Sequence, residues 1–330
     1  MLKRRRRSPA LLFADEWNAF FIHLFCDNRP AMKRIVTLAF LLSLAALPAF
    51  SWGEKGHLLS NEAATHGLPN DMPAFFHQAY PELVYLGPEP DRWRGSGGQS
   101  LEPASGPDHF LDYEFVEGLK LPPDRYKYMD LMETSGRLKQ RGISNAEAGF
   151  VPWRIAELTE MLTVEFRLWR SSAPNSEERG YIERNIIHVA GVLGHYVADS
   201  ANPHHATIHY NGWAGTTNPN RYANDCGTHS RFESAFISRA VDLSDITPKL
   251  AAPVLRADYF KTALELIQSS NALVDKLYTL DRDGNFDPLR PVSKEGVAFA
   301  SGRIAVGSSL LRDLWWSAWK NSAPRPRKTD

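Results

Sequence analysis

Ile182, Ile186, Val189, Leu193 and Val197 recur at spacings of three and four, the period of a helix with one apolar face. That helix runs into residues 195 to 205, His-Tyr-Val-Ala-Asp-Ser-Ala-Asn-Pro-His-His. His195 and Asp199 are four apart, so they project from one side of the helix, a turn apart, where both could grip a single metal ion. Pro203 ends the helix, and His205 emerges just past the break, placed to serve a second metal beside the first. Any further ligands must be gathered around this helix.

The rest of the chain is patterned in the same way. Residues 52 to 66, 145 to 170, 229 to 242, 255 to 278 and 293 to 320 read as amphipathic helices, as does 176 to 200, and almost nothing alternates with the period of a strand. Ile155, Leu158, Leu162, Phe166 and Trp169 form a second apolar face. The expected fold class is all-α, a multi-helix fold with long site-forming loops. Those loops, 86 to 108, 118 to 126, 211 to 228 and 280 to 292, are rich in Gly, Pro and Asn and long enough to shape a site. There is no internal repeat.

Residues 32 to 51, MKRIVTLAFLLSLAALPAFS, have a basic start, an apolar run from Ile35 to Leu47 and small residues at Ala49 and Ser51. This is the pattern of a secretory signal peptide cleaved near Ser51 and Trp52, with an apolar run too short for a stable membrane span. The expected organisation is a non-native extension over 1 to 31, the signal over 32 to 51, one domain over 52 to 322 and a frayed tail over 323 to 330. The product is expected to be secreted or periplasmic and monomeric. Of 38 basic and 38 acidic residues, a chain starting at Trp52 keeps 30 and 35, a net charge of about −5 with no long basic patch. It also keeps only Cys226 of two cysteines, so no internal disulfide can form in it, and stability must come from packing, with or without metal.

Other candidate ligands flank the central helix. In Trp52-Gly-Glu-Lys-Gly-His57 a processed terminus offers an α-amine, a carbonyl and an imidazole as a chelate. Asp91 and His109 lie in polar segments able to fold over the helix, and His229 with Glu233 repeats the four-residue spacing. Taken singly, each has a plain alternative: a surface ion pair for His195 and Asp199, a helix N-terminal pair for His229 and Glu233, a turn cap for Asp91. His188, His204 and His209 read as outer hydrogen-bonding or surface residues, with His204 the one rival to His205 as a ligand. Asp281 to Asn285 hints at a calcium loop but has Val292 where a closing acid is needed, so it reads as a turn.

These residues resemble, in order, the motifs of the secreted zinc-dependent phospholipase C and S1/P1 nuclease superfamily: a terminal Trp, His-Phe-x-Asp, His-x3-Asp-x5-His and His-x3-Glu. The resemblance covers nearly the whole chain after Ser51 and implies an all-α fold with three zinc ions. It would place Asp91, His109, His195 and Asp199 on the first, and His205, His229 and Glu233 on the second. The third would take the Trp52 amine and carbonyl, His57 and the shared carboxylate of Asp199.

Such a cluster implies phosphodiester hydrolysis, with water deprotonated near neutral pH and the leaving oxygen stabilised by positive charge. Asp91 and Asp199 are the candidate catalytic carboxylates, Asp91 either as a ligand alone or also orienting water. The superfamily acts on phospholipid headgroups or on nucleic acid. The short Trp-to-His spacing resembles the nuclease branch, and Glu233 the phospholipase branch. Lys55, Arg92 and Gly106 stand where choline-preferring members place an acid and two aromatics, and a cationic lining suits an anionic substrate. Phe110 and Asp112 occupy positions where nucleases stack and hydrogen-bond a base. These signals lean toward single-stranded nucleic acid, with phospholipase C as the alternative and a non-catalytic zinc-binding module as a reading of another class.

Overall fold

Ser176 accepts the backbone N–H of Arg179 and so caps the start of the helix that carries His195 and Asp199. The computed structural model describes residues 53–95 and 100–324; residues 1–52, with the signal segment and Trp52, and residues 325–330 lie outside the described residues. The main helices are α1 (Gly53–His66), α2 (Glu89–Gly95), α3 (Val151–Ser171), α4 (Glu177–Ala201), α5 (Tyr259–Asn271) and α6 (Lys294–Asn321). Shorter helices join them, and the described residues contain no strand, only isolated bridges at Leu111–Gly149 and Tyr210–Gly212. The protein is all-α. All described residues fall in one compact unit, Pro48–Asp330, and no helix among them is long and apolar enough to cross a membrane.

Helix α4 is the axis. Its first half is amphipathic, but from Val189 to Ala201 every residue is buried, because α1, α3, α5 and α6 pack around it. One core, with Trp153, Phe166, Leu193 and Trp315, fills the space between α3, α4 and α6. A second, with Phe232, Phe236, Phe286 and Ile304, lies beneath the segment that follows His229. Each large apolar side chain buried this way contributes about 1.5–3 kcal/mol.

Helix α1 reaches α4 closely because of Gly194. A Cβ there would lie 1.9 Å from Asn61 Oδ1, so only glycine lets the Asn61 amide settle on the helix and donate to Leu83 O at 2.7 Å and Gly191 O at 3.1 Å. This crossing brings the His57 ring onto the His195 ring, stacked with centroids 3.9 Å apart.

An extended strap, residues 251 to 256, runs along α6 with no sheet partner. Its N–H groups at Ala251, Val254 and Arg256 donate to Ser309 Oγ, Asp313 Oδ1 and Ser317 Oγ, three α6 side chains spaced four apart. Arg312 and Arg256 both donate to the buried Asp313 carboxylate, so the charge is paired rather than stranded.

Several boundaries differ from the sequence expectation. The helix expected over 145 to 170 is broken at Gly149, whose φ of +93° takes the backbone out of the helical region. The one expected over 255 to 278 is two helices, Tyr259–Asn271 and Val274–Arg282, preceded by the strap. The segment 86 to 108, read as a loop, contains α2, which carries Asp91.

Candidate metal centre

Seven elements deliver eight of the nine ligand candidates to one buried place: α1 brings His57, α2 brings Asp91, the 3-10 turn Gly106–His109 brings His109, and α4 brings His195 and Asp199. His205 follows on the 3-10 turn Pro203–Ala206, His229 on a single helical turn, and Glu233 on a π-helical turn, Arg231–Phe236. The π turn is a departure from the regular helix expected there. Trp52 lies outside the described residues.

The carboxylate of Asp199 is the meeting point. Its oxygens lie 3.5 Å from His57 Nε2, 3.0 Å from His109 Nδ1, 3.3 Å from His195 Nε2 and 4.0 Å from His205 Nδ1. Asp91 faces the same space, 3.6 Å from His195 Nε2 and 3.8 Å from His57 Nε2. Beside them His229 Nε2 is 2.7 Å from Glu233 Oε2 and 3.1 Å from His205 Nε2. Three sets of converging donor atoms result: His57, His195 and Asp199; Asp91, His109 and His195; and His205, His229 and Glu233. The last is the set expected for the second ion. The other two share out the residues expected for the first and third, with His195 common to both.

The ring orientations fit cations. His195 Nδ1 donates to Gly87 O at 2.9 Å and His205 Nδ1 to His109 O at 2.8 Å, so in each ring the Nε2 lone pair is the one turned toward the cluster. Both ring nitrogens of His57, Asp91 Oδ2 and His109 Nε2 are buried with no hydrogen-bond partner. Orphaned buried polar atoms are costly, and imidazoles mixed with carboxylates are the donor set zinc takes.

Electrostatics keep three imidazoles and the Asp199 carboxylate in ligating form, while Asp91 runs the other way. Burial pushes the imidazoles of His109 down to about 3 and of His229 down to about 4, and burial with the neighbouring His195 pushes His57 well below its usual value. Burial, resisted by His195, lifts the Asp91 carboxyl to about 7. For Asp199 burial works the other way from its neighbours, and His195 and His205 prevail, holding it well below the usual range.

The expected substrate contacts are only partly at this place. Lys55 pairs with Asp242 at 3.0 Å. Arg92 is held by Glu89 at 3.0 Å and Glu54 at 3.3 Å and lies over the Tyr85 ring. Their charges are thus directed at carboxylates of their own surroundings, which the sequence positions alone did not reveal. The cation that does face the centre is Arg94, 3.6 Å from Asp91 and doubly bonded to Glu102. It was missed because Asp91 was read in a loop; on a helix, residue 94 follows on the same face. Phe110 is half-buried beside His109. Asp112 is buried, its carboxyl pushed well above the usual range by burial and then by Glu114. Among the other histidines, His188 is exposed, His209 stacks on Trp213, and His204 is buried against the rings of His229 and Phe232. Asp281 is bound by Arg231 at 2.7 Å and still lies in the helix Val274–Arg282, so the turn expected over 281 to 285 begins only at Asp283.

No protein-family model and no curated protein matches the sequence. Among solved structures, the chain is similar to the alpha-toxin of Clostridium perfringens from an avian strain, at 12% identity and a TM-score of 0.38 over 82% of this chain and 64% of the toxin. It is similar also to the alpha toxin of Clostridium absonum, at 13% identity and a TM-score of 0.38 over 82% of this chain and 65% of that one. The chain thus spans less than two thirds of the length of either toxin.

Proposed function

We propose that the protein is a secreted zinc-dependent phosphodiesterase of the phospholipase C and S1/P1 nuclease superfamily. The convergence of five imidazoles and three carboxylates in three sets around the Asp199 carboxylate carries this reading. His57, Asp91, His109, His195, Asp199, His205, His229 and Glu233 would hold the metal, with the Trp52 terminus as a further donor and three zinc ions in all. Zinc held there would supply Lewis acidity toward a phosphoryl group and acidify water near neutral pH. Burial keeps His57, His109 and His229 neutral, and Gly87 O and His109 O hold the His195 and His205 rings each in one tautomer. Asp91 Oδ2, buried and unbonded, is placed to take a proton from water at the edge of the cluster. Arg94, paired with Asp91 and Glu102, lies at the same edge.

Of the two substrate classes, a phospholipid headgroup is the better supported. The cations that favoured a polyanion, Lys55 and Arg92, are neutralised by Asp242, Glu89 and Glu54. Single-stranded nucleic acid is the second reading, favoured by the half-buried Phe110 next to His109. Comparing kcat/KM on phosphatidylcholine vesicles and on single-stranded DNA decides between them. Faster lipid cleavage is expected, a preference for DNA restores the nuclease branch, and zinc-loaded protein inert on both and on a generic phosphodiester leaves the non-catalytic zinc module.

A further inference from the structure

We infer that Asn202 is a positioning residue: it aims the Glu233 carboxylate and so sets how tightly the His205, His229 and Glu233 group holds a divalent cation. This rests on the metal reading given above. Asn202 is 0% exposed, in the turn between Asp199 and His205. Its Oδ1 accepts the His204 N–H at 3.1 Å, which settles which end of the amide is oxygen, and its Nδ2 therefore donates to Glu233 Oε2 at 3.2 Å. That oxygen is the focus of the group, 2.7 Å from His229 Nε2 and 3.7 Å from His205 Nε2. The Asn202 donor fills one of its acceptor directions and leaves another turned toward the two imidazoles.

Glu233 depends on such a hold because its backbone lies in the π turn, a wider and less regular coil than an α-helix. The main chain is braced from the other side by Gly53, where a Cβ would come within 3.1 Å of Glu233 O. Bracing the backbone does not choose the direction of the side chain, and Asn202 does. Its place three residues after Asp199 and three before His205 also ties the second group to the segment that carries the shared carboxylate of the first. Outer hydrogen-bond partners of ligands typically alter metal affinity about 10- to 100-fold.

The variant Asn202→Ser separates the two bonds. A serine hydroxyl still caps the turn but is too short to reach Glu233. Zinc affinities are measured on the purified protein by competition with a chromophoric chelator, with the visible spectrum of the cobalt(II) form as a readout of geometry and the Tm of the zinc-free protein as a control for folding. The expected result is one zinc weakened about tenfold or more, an altered cobalt spectrum, and a zinc-free Tm close to wild type. Unchanged affinities overturn the inference, and so does uniform weakening of every site together with a lowered zinc-free Tm, which is the mark of a purely structural role. If the variant does not fold, the side-chain amide resonances of Asn202 in 15N-labelled wild type serve instead: they are expected to shift as the last zinc binds, and resonances that stay put overturn the inference. A wild type that binds no zinc removes the metal reading itself and this inference with it.

Discussion

At the scale of residues, the centre hangs on Asp199, whose two oxygens meet four imidazoles on four separate stretches of chain. Asp199→Asn keeps the shape and removes the charge. It is expected to abolish turnover and lower zinc content, because a carboxylate shared between cations neutralises both. Metal analysis beside a rate assay checks this, and full activity with unchanged zinc would falsify the assignment. Spacing made the pairs His195 with Asp199 and His229 with Glu233 legible in the sequence, since a helix fixes which side chains share a face. It could not show where long flexible cations would turn. Lys55 and Arg92 find carboxylates supplied by the fold, whereas Arg94 stays beside Asp91 because helix α2 puts it there.

Among elements, the decisive contact is the crossing of α1 over α4. Gly194→Ala is expected to cost about 1–3 kcal/mol, since a methyl group must displace Asn61 and break its two bonds to backbone carbonyls. The drop in the urea midpoint measures it, with loss of the His57 and His195 stacking as the accompanying effect on the site; an unchanged midpoint refutes the close approach. The long helices were readable from apolar periodicity, and their caps confirm the physics: Ser176 and Ser293 each accept an N–H three residues on. What periodicity missed were the short helices such as α2, whose few residues carry too little pattern, and the π turn at Glu233, which shares the i, i+4 spacing of an ordinary helix.

For the whole molecule, the buried imidazoles make stability depend on metal and on pH. Each site filled at about 100 times its Kd adds about 2.7 kcal/mol. Chelation is therefore expected to lower Tm by several degrees per ion, at about 2–4 °C per kcal/mol for a domain of this size, read by calorimetry. In the zinc-free protein His109 and His229 stay neutral down to about 3 and 4, while in the unfolded chain they take up protons near 6.5. The unfolded state then binds more protons, so stability is full above about pH 6.5 and is lost as pH falls toward 4. Asp91, lifted to about 7, runs the opposite way and offsets part of this. A Tm that does not fall across that window contradicts the burial of these rings as neutral ligands.

The strap along α6 has a consequence for how this chain can vary. Its residues from Ala251 to Leu255 are exposed, and over that stretch α6 recognises peptide groups rather than side chains, Arg256 at the end alone adding a side chain, to Asp313. Sequence drift is therefore tolerated on the strap, while the constraint is transferred some sixty residues downstream, to Ser309, Asp313 and Ser317. From Ala251 to Leu255 only proline at position 251 or 254 is barred, since it lacks the hydrogen that the helix reads, while position 256 also keeps its guanidinium for Asp313. A substitution pattern that is permissive on an extended segment and strict at every fourth position of a distant helix is the evolutionary signature this arrangement should leave.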